Sequence, residues 1–147
     1  MPTPTSTYIE NRDQIQPGMT NNYDTAHGGI VMKLMDEVGA LSAMRFAEET
    51  CVTARVDGLD FTRPVPRGET AVVEAWVYDA GRTSVRVRVT VDREDPRTGA
   101  REQTCESRFV FVAVDADGDP VPVPDVEVET DQDRELRAAG LDAPAEN

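Results

Sequence analysis

The sequence has almost no lysine. Lys33 is the only one, and the other 14 basic side chains are arginines, set against 28 acidic ones for a formal net charge of −13 over 147 residues. A field of that sign opposes nucleic acid and anionic lipid, so neither is expected as a partner. Cysteine is nearly as scarce. Cys51 and Cys105 are too few for a disulfide framework, and with no Cys-x-x-Cys and a single histidine no zinc site is expected. Both cysteines lie in apolar, strand-like surroundings and read as small buried hydrophobes. No apolar run approaches the roughly 20 residues that cross a bilayer. The opening residues, Met1-Pro2-Thr3-Pro4-Thr5-Ser6, have neither the basic start nor the apolar stretch of a secretion signal. A soluble, cytoplasmic protein is expected. The acidic, lysine-poor composition also suits a halophilic cytoplasm, where salt screens self-repulsion.

What is present suits one domain with one core, since 39% of the residues are hydrophobic. Residues 5–15 read as an edge-like strand, broken at Pro17-Gly18. Residues 20–27, rich in turn formers such as Asn21, Asn22 and Asp24, read as loop. Gly28-Gly29 then leads into a helix over residues 30–48. There Ile30, Leu34, Val38 and Leu41 make an apolar line that Val31, Met35 and Ala43 widen, so burial around most of its girth is expected. Lys33 and Glu37, four apart, can pair on the wet side. Four long strands follow, over residues 51–62, 70–79, 84–91 and 101–115; in the third, Val85, Val87, Val89 and Val91 alternate with Arg86, Arg88 and Thr90. One buried helix followed by strands on short turns implies an α+β fold with an antiparallel sheet wrapped on the helix. The main domain is expected over residues 1–126. Residues 127–147 read as an acidic tail with a short helix at 130–139, capped by Thr130, stopped by Gly140 and frayed from 141 on.

Candidate chemistry clusters at the start of the long helix. Asp36 has Met32, Ala40 and Ala43 as helical neighbours, and a carboxylate on an apolar stripe is costly unless something satisfies or uses it. A solvated helix aspartate or an arginine partner is the plainer reading. Gly28-Gly29 can bring a ligand close to the free N–H groups of a helix start, which polarise a carbonyl, although a glycine pair by itself is more often only a turn. Seven residues, about two turns, separate Gly29 from Asp36, so both could face one cleft. His27, the lone histidine, is more often a capping or packing residue in such a place. Gly81-Arg82-Thr83-Ser84 is a turn that could grip phosphates. Asp115 to Asp119 resembles a calcium loop only superficially, because its glycine falls at the fourth position and no glutamate closes it.

In order and spacing these pieces resemble the acyl-CoA thioesterases of the hotdog superfamily, in the branch of the brain-type cytosolic and bacterial YciA-like hydrolases. The matching residues are Asn21, His27-Gly28-Gly29, Met32 to Glu37, Val52-Thr53-Ala54, Asp60-Phe61, Pro64-Val65, Gly68, Gly81-Arg82-Thr83-Ser84, and Phe109 to Asp115 with Gly118 and Val123-Pro124. The resemblance implies a hotdog fold of one central helix and about five antiparallel strands. It implies dimers that pair sheets side by side and assemble further, often as a trimer of dimers. It also implies hydrolysis of acyl-CoA to fatty acid and CoA, with no metal and no cofactor beyond the CoA of the substrate. Asn21 and Asp36 would be the catalytic pair, meeting across the dimer interface. Asp36 would act as general base or nucleophile. His27, Gly28 and Gly29 would hold the thioester, and Thr53, Arg82, Thr83 and Ser84 would lie near the CoA. Some relatives carry glycine where Asp24 stands, and some carry two fused domains, so a single domain would find its second half in another chain. The alternatives are a hotdog dehydratase or hydratase relying on His27, and a non-catalytic acyl-CoA-binding protein.

Overall fold

The computed structural model describes residues 2–142. In chain order it contains β1 (Ile9–Gln14), α1 (Gly28–Ala47), β2 (Thr50–Asp57), β3 (Thr70–Ala80), β4 (Ser84–Glu94), β5 (Arg101–Val114) and α2 (Asp131–Leu141), with short 3-10 turns at Thr5–Thr7 and Pro17–Met19. The strands form one antiparallel sheet of order β1-β3-β4-β5-β2, which leaves β1 and β2 at its edges. The alternation in β4 places Val85, Val87, Val89 and Val91 on the inner face, all fully buried. In register beside them are Phe111, Phe109, Ser107 and Cys105 of β5. Helix α1 lies on this face through Val31, Leu34, Met35, Val38, Ala43 and Phe46. Gly39 lets it lie close, since a Cβ there would stand 3.2 Å from the Phe111 ring. One long helix held in a five-stranded antiparallel sheet is the hotdog arrangement the sequence implied.

Several local expectations change. Helix α1 is covered on one side only: Leu41 is 51% exposed and Met32 39% exposed. One sheet in one chain can cover only one face of a helix. Residues 5–7 coil before β1 begins. Strand β2 ends at Asp57 rather than near residue 62, because the chain turns at Gly58 with φ of +63°. Its register shifts between Thr53 and Arg55, leaving Ala54 as the extra residue of a bulge.

Helix α2 covers the outer face of the sheet. The indole N–H of Trp76 donates to the Leu136 carbonyl at 2.8 Å, and Nε of Arg108 donates to the Gly140 carbonyl at 2.6 Å. Arg88 also reaches the last turn, at Ala139, while pairing with Glu106 and lying over the Trp76 ring. These guanidinium groups satisfy carbonyls that a helix C-terminus leaves open. Thr130 caps the other end by accepting from Asp133 N–H at 3.0 Å. Gly140 does not stop the helix; it lies within it, and a Cβ there would fall 2.1 Å from Cγ of Tyr78. Residues 143–147, the rest of the stretch expected to fray, lie outside the described residues. Among the described residues no helix is long and apolar enough to cross a membrane.

Candidate active site

The loop before α1 is shaped by Asn21. Its Oδ1 accepts from Tyr23 N–H at 2.9 Å, Thr25 N–H at 3.3 Å and the Thr25 hydroxyl at 3.2 Å. Asp24 takes a left-handed conformation, φ +58°, which gives a backbone reason for a glycine at that place in relatives. The loop is tied down where Ala26 N–H donates to Val65 at 2.8 Å and His27 N–H to Met19 at 3.0 Å. His27 is the N-cap residue of α1, but its exposed imidazole makes no capping bond. Its carbonyl accepts from Ile30 and Val31 N–H. Among the described residues the N–H groups of Gly28 and Gly29 have no partner. They are the open donors of a helix start, and a Cβ on Gly29 would meet nothing within 4 Å.

Gly28, but not Gly29, borders a cleft of about 310 Å³ lined also by Asn21, Val31, Phe61, Val65 and Thr104, among others. Phe61, Val31 and Val65 add to the residues expected at the site. Phe61 is the one aromatic in the connection of residues 58–68, which is the signal the sequence offers for it.

Asp36 does not line this cleft. Seven residues separate it from Gly29, roughly 10 Å along the helix axis at 1.5 Å per residue. Seven residues are close to two whole turns, so the two positions share a face of α1, and Gly29 does not line this cleft either. Asp36 is half-buried instead against β2, where the Thr53 hydroxyl donates to its Oδ1 at 2.5 Å. The bulge at Ala54 follows Thr53 directly. Lys33 and Glu37 form the expected pair at 3.8 Å on the wet side.

Arg82, Thr83 and Ser84 sit at the β3–β4 turn, apart from both groups. The turn is fixed by Gly81 N–H donating to Ser84 at 2.9 Å, Ala113 N–H to Thr83 at 3.0 Å and Val123 N–H to Arg82 at 2.9 Å. The Arg82 side chain is exposed and pairs with no carboxylate among the described residues. Asp115 turns its carboxylate onto the N–H groups of Asp117 and Asp119, closing a turn. Burial pushes the Cys51 and Cys105 thiols up to about 11, which removes both as nucleophiles near neutral pH.

Residues 23–100 match the thioesterase superfamily. A Bacillus subtilis protein named uncharacterized acyl-CoA thioester hydrolase YkhA is 35% identical over 99 residues, 67% of this chain and 58% of its own length. The chain thus spans less than two thirds of that relative. A solved apo-hexameric acyl-CoA thioesterase superposes with a TM-score of 0.86 at 36% identity, covering 95% of this chain and 88% of that one. An acyl-CoA hydrolase of Staphylococcus aureus, solved with butyryl-CoA, CoA and CoA disulfide, superposes with a TM-score of 0.84 at 31% identity, covering 92% of this chain and 82% of that one. Variants of that hydrolase with an asparagine, an aspartate and a threonine each replaced by alanine have also been solved. Their asparagine and aspartate lie fifteen residues apart, and their aspartate and threonine seventeen. Asn21, Asp36 and Thr53 have the same two spacings (36 − 21 = 15; 53 − 36 = 17).

Proposed function

This chain belongs to the thioesterase superfamily, and from that membership we propose that it hydrolyses acyl-CoA thioesters to free fatty acid and CoA at a site completed by a second copy of the chain. The observation that carries this reading is the division of the site. Gly28 with its open N–H and Asn21 border one cleft, while the Asp36–Thr53 pair stands roughly 10 Å further along α1. A reacting carbonyl must touch both groups at about 3 Å, so one chain supplies the donors and another the carboxylate. The half-exposed Leu41 and Val52, and the open edge of β2, are surfaces that a second copy would cover.

In the proposed reaction the thioester oxygen sits on the N–H groups of Gly28 and Gly29, which stabilise the charge that develops there. The Asn21 amide orients the carbonyl or the water. Asp36, fixed by Thr53, takes a proton from that water as its oxygen adds to the thioester carbon. Collapse of the tetrahedral intermediate breaks the C–S bond, and the departing thiolate takes the proton back from Asp36. If Asp36 attacks directly instead, its carboxylate displaces CoA thiolate to give a mixed anhydride, and hydrolysis of that anhydride at the Asp36 carbonyl in oxygen-labelled water leaves label in Asp36 after a single turnover. Thr53 thereby changes role, from a neighbour of CoA to the group that holds the carboxylate. Arg82, Thr83 and Ser84 remain the proposed grip on CoA phosphates, supported by the unpaired, exposed guanidinium of Arg82. His27 contributes its backbone rather than its ring. CoA enters as part of the substrate, and no other cofactor takes part.

The proposed assembly is a hexamer built from dimers, supported by the hexameric state named for one structural relative. The proposed place of work is the cytoplasm, which suits two unpaired cysteines, and the acidic surface is read as an adaptation to salt. The test is release of free thiol from a panel of acyl-CoAs in high salt. The wild type is expected to turn over at least one of them, with Asp36→Ala lowering kcat ~100-fold or more. No release at any chain length overturns the hydrolase reading. Unchanged turnover in Asp36→Ala removes the role given to Asp36.

A further inference from the structure

We propose that Phe61 is the wall that sets the length of acyl chain this protein accepts; the inference rests on the acyl-CoA reading above. The thioester has two arms, and the cleft beside Gly28 suits the apolar one. Beneath the open N–H groups its floor is Val31, one turn into the helix, with Val65 and Thr104, and these three are 4%, 2% and 1% exposed. A chain leaving the carbonyl toward Val31 and Val65 meets buried apolar side chains, while the polar Thr62 and Arg63 line another part of the cleft.

Phe61 forms the outer side of this cleft. Its ring stands 3.3 Å from where a Cβ on Gly28 would be, so it closes against the helix start at the point where the carbonyl would bind. Phe61 is also 49% exposed. The backbone around it is held on one side only. Thr62 and Arg63 N–H donate to Thr104 at 3.0 and 3.3 Å, the Thr62 hydroxyl donates to the same carbonyl at 2.8 Å, and Val65 accepts from Ala26. Before these anchors the chain passes through Gly58 in a left-handed turn. The ring is thus fixed at its root and free on its open face, where an acyl chain of the right length would cover it. A longer chain meets the ring end-on and must displace it. The 310 Å³ of the cleft lies at the small end of ligand sites, so short acyl groups are the ones it fits.

The experiment is a chain-length profile of kcat/KM, from acetyl- through butyryl- and octanoyl- to palmitoyl-CoA, for wild type, Phe61→Ala and Phe61→Trp. The wild type is expected to favour the shorter chains. Phe61→Ala is expected to raise the ratio of long-chain to short-chain kcat/KM by ~10-fold or more, the order of effect that pocket size has on specificity. Phe61→Trp is expected to lower it. Because the side chain is half-exposed, both variants should keep the wild-type melting temperature within a few degrees; if Phe61→Ala fails to fold, the Trp variant alone decides. An active wild type whose profile superimposes on those of its folded variants overturns the inference and leaves the hydrolase reading standing. A wild type inactive on every substrate overturns the hydrolase reading, and the inference with it.

Discussion

Asp36 and Thr53 are joined, since the hydroxyl of Thr53 donates to the carboxylate of Asp36 at 2.5 Å. In the proposed mechanism, removing the hydroxyl leaves the carboxylate less well aimed. Thr53→Ala is therefore expected to lower kcat by ~10-fold with a smaller change in KM, and Thr53→Ser, which keeps the donor, to recover most of it. An equal loss in both variants, measured by thiol release, would mean that the methyl group rather than the hydrogen bond matters. At this scale the sequence singled out Asn21, Asp36 and Thr53, and the structure joins Thr53 to Asp36 by a hydrogen bond. The spacing of Asn21 and Asp36 along the chain is a sequence property. The bond from Thr53 crosses from strand to helix, and no local pattern encodes it.

Helix α2 is the element whose role was least legible. Thr130 as a cap could be read directly, because capping is a contact within one turn. Gly140 read as a stop, yet it is a packing residue: Tyr78, 62 positions away, occupies the space a Cβ would need. Gly140→Ala is expected to destabilise the fold by ~2 kcal/mol or more, the cost of overpacking against a fixed ring, seen as a lower urea midpoint. Asp133 ties the same helix to the N-terminal turn. Burial would push its carboxyl up, but hydrogen bonds from the Thr5 hydroxyl and from the N–H groups of Thr5, Glu129 and Thr130 outweigh this and hold it well below the usual range. A depressed carboxyl contributes stability that is complete above the unfolded value of about 3.9. That contribution is lost as pH falls below it toward the folded value. Acid unfolding of the wild type is thus expected to steepen below about pH 4, and Asp133→Asn to be less stable at neutral pH with a flatter acid limb. Parallel acid limbs in the two proteins would remove Asp133 from this role.

Two predictions belong to the whole molecule. If each site takes Asn21 from one chain and Asp36 from another, inactive Asn21→Ala and Asp36→Ala proteins should regain activity when mixed under subunit exchange. About a quarter of wild-type activity is expected, because random pairing makes half the dimers mixed and each mixed dimer carries one complete site of two. Failure to recover activity despite demonstrated exchange would place both residues of each site in one chain. The second concerns charge. The 28 acidic side chains of a −13 chain repel one another even though arginines such as Arg101 sit among several carboxylates, Glu74 at 2.5 Å and Asp92 at 2.9 Å. Raising potassium chloride from about 0.1 M, where screening reaches 10 Å, to above about 1 M, where it falls to 3 Å, is expected to raise the melting temperature. A melting temperature that falls with salt would mean that attraction in such networks outweighs the net repulsion, against the reading of the acidic surface as salt adaptation.

What the sequence determined by itself was periodic or local. The period-two valines of β4, the apolar line of α1, the turn at Gly81 and the cap at Thr130 follow from steric and hydrogen-bonding rules that act within a few residues. The ordered motifs from Asn21 onward pointed to the family for the same reason, since their spacing survives in the chain without any need to see it folded. Tertiary structure decided which groups meet. It buried one face of α1 and left Leu41 outside, laid α2 over Trp76, brought Phe61 from a distant connection against Gly28, and set Asp36 against Thr53 instead of in the cleft with Asn21. Each of these depends on contacts between segments far apart in sequence, whose geometry is fixed only when the sheet closes on the helix. The helix start thus holds half of a proposed site, and the other half lies two turns away along the same helix.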